Sequence, residues 1–150
     1  MSYQNNAKSV KDNWDASRLG WLGCTWYEKF GPKSLAKLYK VFGENKGQEA
    51  WQSSLAGLVN AGISEQLAQD FLKWKQNINP EDYKNRLAKD GMDFILPWDT
   101  FYPAAFKNSS CPPAALFWRG AQLSRKPWIA VVGTRKMTTY GKRACMQIVS

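Results

Sequence analysis

Apolar residues before Gly91 recur at helical spacing. Leu35, Leu38, Tyr39 and Phe42 fall at i, i+3, i+4 and i+7, the stripe of a helix buried along one side. Pro32 sits near its first turn and Gly43 follows as its stop, so both ends are marked. A second helix is predicted from Ser64, an N-cap residue, through Leu67, Ala68, Phe71, Leu72 and Trp74, with Ala61-Gly62 breaking the chain before it. A third opens at Asn79-Pro80-Glu81-Asp82, with Asn79 as N-cap, Pro80 at the first helical position and the acids at the positive helix end, and stops at Gly91.

The period then changes. Met92 to Leu96 is a short apolar strand. A loop carrying Tyr102-Pro103 and Cys111-Pro112-Pro113 separates it from a second strand at Ala115-Leu116-Phe117-Trp118. Trp128 to Val132 is a continuous apolar run rich in β-branched residues, as in a strand covered on both faces of a parallel sheet. It leads into Gly133, and Tyr140 to Ser150 has helical character without a stop signal. The chain is therefore expected to be α/β overall: a small all-α domain over 1–77, then, over 78–150, the opening part of a doubly wound parallel sheet. A lone strand-turn-helix cannot cover its own sheet, so further βα units are expected beyond Ser150.

Composition adds charge and location. A chain of 150 residues, 44% of them hydrophobic, fits one compact domain or two small ones with a real core. No apolar run is long enough to span a bilayer, and the polar start Met1 to Asn6 lacks the stretch of a secretory signal, so a cytoplasmic location and no membrane partner are expected. Cys24, Cys111 and Cys145 are odd in number and widely spaced; they imply neither a disulfide framework nor a metal knuckle. The net charge of +9 is unevenly placed. All twelve acids lie between Asp12 and Asp99, and after them Lys107, Arg119, Arg125, Lys126, Arg135, Lys136, Lys142 and Arg143 face no acid. Such a surface attracts polyanions by counterion release. Acids that balance it would alternatively lie further along a longer chain.

The best constellation for chemistry is the strand-to-helix turn Val131-Val132-Gly133-Thr134-Arg135-Lys136-Met137-Thr138-Thr139-Tyr140-Gly141. A glycine there lets backbone turn sharply and approach a ligand, and the amides opening the next helix point at the same spot. Arg135 adds a permanently charged clamp, Thr134 and Thr138 supply hydroxyls, and Lys136, Lys142 and Arg143 thicken the positive field. The bland reading is a plain turn with solvated cations. The loop is not G-x-G-x-x-G, because bulky Arg135 stands two places after Gly133, and it is not a Walker loop; a phosphodiester or monophosphate fits better than a closely held pyrophosphate.

The order Phe101-Tyr102-Pro103, Cys111-Pro112-Pro113, Leu116-Phe117, Arg119-Gly120, then Ile129-Ala130-Val131-Val132-Gly133-Thr134-Arg135 with Thr138 and Tyr140-Gly141, resembles the DprA/Smf family of DNA-processing proteins in natural transformation. Phe30-Gly31-Pro32-Lys33-Ser34-Leu35 and the helices around it look like that family's sterile-alpha-motif-like (SAM-like) or helix-hairpin-helix-like leading domain. The resemblance implies a Rossmann-like domain that binds single-stranded DNA, forms a homodimer in the full-length protein, and loads the RecA recombinase onto incoming strands without a cofactor. The family's glycine-hydroxyl-arginine trio falls on Gly133, Thr134 and Arg135. Lys29 stands where a DNA-binding hairpin usually offers the first of two glycines, with Gly31 as the second, so the leading domain is expected to serve as an accessory or protein-contact module.

Catalytic and metal residues are not expected. The chain has no histidine and no G-x-S-x-G elbow, and Glu81-Asp82 are explained by helix capping. Most of the eight tryptophans are expected in the core, among them Trp14, Trp21, Trp26, Trp51 and Trp74; Trp98 and Trp118 are less decided, and Tyr140 fits either a stacked base or a packed ring. Two other readings stand beside the DNA-binding one. A nucleotide enzyme such as a phosphoribohydrolase of the cytokinin-activating (LOG-like) type also opens with a glycine-containing phosphate turn, but it needs carboxylates and none follows Asp99. A folding or interaction unit without activity of its own is the other.

Overall fold

Caps and breakers set the element ends. The computed structural model describes residues 14–120, 132–134 and 136–149. Helix α1 (Ala16–Trp26) starts at Asp15, whose carboxylate accepts the Arg18 amide at 2.7 Å. Helix α2 (Pro32–Phe42) has proline in its first turn and ends at Gly43, which takes φ +78°, a conformation open to glycine. Two short helices follow, α3 (Gly47–Gln52) and α4 (Leu55–Asn60), then α5 (Glu65–Lys75) and α6 (Pro80–Lys89). Asn79 caps α6 through its side chain, which accepts the Glu81 amide at 3.1 Å. All three helices expected from the sequence are present, α2 and α6 with the expected starts and stops and α5 with Ser64 at its N-cap position, where the side chain makes no capping hydrogen bond.

Strand β1 (Met92–Ile95) pairs antiparallel with β2 (Leu116–Arg119), in the register Met92 with Arg119, Asp93 with Trp118, Phe94 with Phe117 and Ile95 with Leu116. Between them runs a loop with the short helix α7 (Ala104–Lys107), and α8 (Thr139–Val149) is the last described element. The chain is thus α/β. The described sheet is two-stranded and antiparallel; of the run expected as a central parallel strand, only Val132 is described. It is 89% exposed, whereas the sequence led us to expect a strand residue covered on both faces.

One core joins the helices to the sheet. Trp21, Leu22, Cys24, Leu38, Leu58, Ala68 and Phe71 are fully buried, and Phe94, Leu96 and Ala114 complete the same cluster. Aromatic rings tie α1 and the residues before it to α6 and to both strands: Trp14, just ahead of α1, stacks on Phe94 of β1 at 6.0 Å, and Trp26 stacks on Tyr83 of α6 at 4.2 Å and meets Phe117 of β2 edge-on at 5.5 Å. Trp14, Trp26, Trp51, Trp74 and Trp98 all pack against the core. Helices α1 and α3 touch backbone to backbone. A Cβ on Gly20 would lie 2.1 Å from the Gly47 carbonyl oxygen, so only glycine permits this approach.

The loop between the strands is held by hydroxyls. Tyr102 donates to the Pro113 carbonyl at 2.6 Å, and Tyr39 of α2 donates to the Ala114 carbonyl at 2.8 Å. The Tyr-Pro and Cys-Pro-Pro signals are therefore joined, and a helix from the first half of the chain fixes the entry to β2.

Candidate nucleic-acid interface

The turn before α8 is built from short-range bonds. Thr134 Oγ1 donates to the Lys136 carbonyl at 2.6 Å, closing the turn on itself. Thr138 Oγ1 accepts the Gly141 amide at 3.1 Å, which makes Thr138 the cap of α8. The two hydroxyls expected to face a ligand thus both serve the backbone. Thr138 keeps its own O–H free to donate outward, since the cap uses only its oxygen.

Gly133 does not take the left-handed conformation that the glycines at 43, 62, 91 and 120 adopt, and a Cβ there would meet nothing within 4 Å. The backbone does not need glycine at this place. What its missing side chain leaves is open space beside the turn, where a ligand can approach main-chain amides.

Gly133, Thr134, Lys136, Thr138, Lys142 and Arg143 are all exposed, while Arg135 lies outside the described residues. Helix α8 has no acid in its first turn, and Lys142 and Arg143 follow within its second, so its positive end carries more positive charge. This arrangement is electrostatically unfavourable until an anion arrives, and an anion is what it would hold. Two further side chains stand open at the same place. Tyr140 is 81% exposed, so its ring is free to stack, and Met137 is 60% exposed. The sequence offered Tyr140 as ambiguous and gave no signal for Met137.

Residues 93–150 match the family model of DNA recombination-mediator protein A, a span that opens at β1 and contains the whole turn and α8. Protein Smf of Synechocystis sp. is 25% identical over 129 residues, which cover 82% of this chain and 32% of that protein. The chain is thus similar to DprA/Smf proteins, the family model covering its last part and the relative most of its length. It spans about a third of the length of the relative it matches, and no solved structure matches it. The motifs that carried the resemblance take on roles: Tyr102 and Pro113 brace the inter-strand loop, and the Gly133 turn stands open with its described cations exposed.

The rest of the molecule offers little chemistry of another kind. Among the described residues no three His, Cys, Asp or Glu side chains gather as for a metal ion, and no helix is long and apolar enough to cross a membrane. Glu81 is engaged with Lys84 at 2.9 Å at the start of α6. Cys24 is buried, which pushes its thiol up to about 12 and keeps it from acting as a nucleophile near neutral pH.

Proposed function

We propose that this chain is part of a single-stranded-DNA-binding protein that mediates recombination in natural transformation, holding incoming strands for a RecA-type recombinase without catalysing a reaction. The observation that carries the reading is the family match across 93–150, together with a turn whose described cations all face solvent. On this reading the strand's phosphates lie against the Gly133 amide region, Thr138, Lys136, Lys142, Arg143 and Arg135, and a base rests on Tyr140. The leading helices act as a SAM-like or helix-hairpin-helix-like module over 1–77, and residues 78–150 open a Rossmann-like, doubly wound parallel sheet. The full-length protein is a cytoplasmic homodimer.

Phosphate contacts carry no sequence information, so binding should be indifferent to base order and weaken steeply with salt. The test is a titration of labelled single strands of several sequences, alongside duplex, with the parent chain and Arg135→Ala. The expected result is preference for single strands and a uniform weakening across sequences in Arg135→Ala. Unchanged binding by that variant at every salt concentration would remove the turn from the mechanism.

A further inference from the structure

Several cations of the helical half are engaged, and Lys73, Arg86 and Lys89 lie on α5 and α6, which also carry acids. Arg18 pairs with Asp99, Lys29 with Asp70 at 2.9 Å, Lys46 with Glu49 at 3.5 Å and Lys84 with Glu81. Lys75 donates to the carbonyls of Trp51 and Ser53 at 2.6 and 3.2 Å, closing the end of α3. Helix α2 differs in having cations without acids. Over Pro32–Phe42 it carries Lys33, Lys37 and Lys40 and no acid, and all three lysines are exposed. Lys33 and Lys40 meet no acid among the described residues. Lys37 Nζ touches only the Gly62 carbonyl, at 2.7 Å, which leaves its charge uncompensated. Glu44, just past the helix, forms no ion pair with Lys40; its carbonyl is taken by Ser17 and Trp21.

The spacing i, i+4, i+7 puts the three ammonium groups along one line, opposite buried Leu35 and Leu38, and spreads them over about 10 Å at 1.5 Å per residue. They do not converge, so a single small anion would meet one of them at a time. A ligand that engages all three is itself a row of negative charges. We propose that this face of α2 is a second, sequence-independent contact for the phosphodiester backbone of a nucleic acid strand. It rests on the reading of the chain as a nucleic-acid binder, but uses none of the residues of the Gly133 turn. The α1–α2 hairpin is not what makes it. Lys29, where a hairpin glycine would stand, is held by Asp70, and the helix face beyond supplies the charge instead.

The test uses the full chain and a labelled oligothymidine, with Lys33→Ala/Lys40→Ala against the charge-matched control Lys46→Ala/Lys84→Ala. Lys37 is spared because it supports the turn at Gly62, and unchanged circular-dichroism melts verify folding of both variants. Each lost phosphate contact flattens the dependence of log affinity on log salt by about 0.7 for single strands, so the α2 variant should flatten by roughly 1.4 and the control by almost nothing. Identical salt slopes for the two double variants overturn the proposal, and if Arg135→Ala still weakens binding in that experiment, the proposed function survives while this surface does not. No binding by the parent chain overturns both. Displacement of the oligothymidine from the parent by polyglutamate at equal charge concentration, but not from the α2 variant, also overturns it, in favour of an acidic protein partner.

Discussion

The Arg18 guanidinium and the Asp99 carboxylate, 81 positions apart, meet through two hydrogen bonds of 3.1 and 2.5 Å with side chains only 8% and 15% exposed. The same guanidinium donates to the Phe94 carbonyl at 2.6 Å, and Asp99 also accepts the Leu96 amide at 2.7 Å, so α1 is bolted to the end of β1 and the turn after it. Removing one partner strands the other in a site with little water. Asp99→Ala should therefore cost about 3–5 kcal/mol, and Arg18→Met/Asp99→Ala should recover part of that loss. Urea denaturation followed by tryptophan fluorescence checks both; a double variant no better than Asp99→Ala would mean that the other bonds of Arg18 dominate.

Tyr39 and Tyr102 hold consecutive carbonyls, of Ala114 and Pro113. Loss of a hydroxyl leaves a largely buried carbonyl unpaired, which costs about 1–3 kcal/mol. Tyr39→Phe should be the worse of the two, because it also unties α2 from the entry to β2. Thermal melts of the two phenylalanine variants against the parent give the comparison.

Helices α2 and α6 were legible because their ends carry chemistry that acts locally, Pro32 and Gly43 in one and Asn79 and Pro80 in the other, and α5 was legible from its apolar stripe, since Ser64 makes no side-chain cap. The strands at 92 and 116 were legible as apolar runs, but their antiparallel pairing was not, since twenty intervening residues give no register. Nor was Arg18–Asp99, where two ordinary surface-type residues find each other only through the fold. At the site, the sequence located the exposed cations around Gly133 and the two threonines, but not the backbone partners of their hydroxyls. Hydroxyl types reveal the capacity to bond and leave the partner open: here Thr134 spends its O–H on a backbone carbonyl, while Thr138 spends only an acceptor lone pair.

Cys24 should make the protein sensitive to alkali. Burial raises its thiol from 9.0 to about 12 in the folded state, so above pH 9 the unfolded chain loses a proton that the folded chain keeps. Stability is complete below that pH and should fall by up to about 1.4 kcal/mol per pH unit towards 12 for this group. Burial raises Tyr39 as well, adding a loss of the same sign above 10. Cys24→Ala should flatten the decline between pH 9 and 10, read from urea midpoints; an unchanged decline would assign it elsewhere.

Glycine at the α1–α3 crossing is a packing requirement. A Cβ on Gly47 would stand 2.0 Å from the Ser17 carbonyl oxygen, and one on Gly20 would be as badly placed against Gly47. Both neighbours are backbone and cannot rotate away. Gly20→Ala, which by helix propensity alone would stabilise α1, should instead cost about 1–3 kcal/mol or more as the helices are forced apart. A rise in the urea midpoint of Gly20→Ala would show that the crossing yields.

Gly133 presents the opposite case. Its added methyl would meet no protein atom, and its backbone lies outside the left-handed region, so Gly133→Ala should leave the melting temperature within a degree or so of the parent. If the space beside the turn is where a phosphate approaches the main chain, the same methyl blocks that approach and affinity for a single strand should fall. A loss of about tenfold corresponds to about 1.4 kcal/mol, the scale of one charge-assisted hydrogen bond. Measured together, melting and strand binding separate the two roles of the residue: a drop in affinity with stability intact marks the turn as a contact surface, whereas full binding by Gly133→Ala and Gly133→Val would place the strand away from this turn.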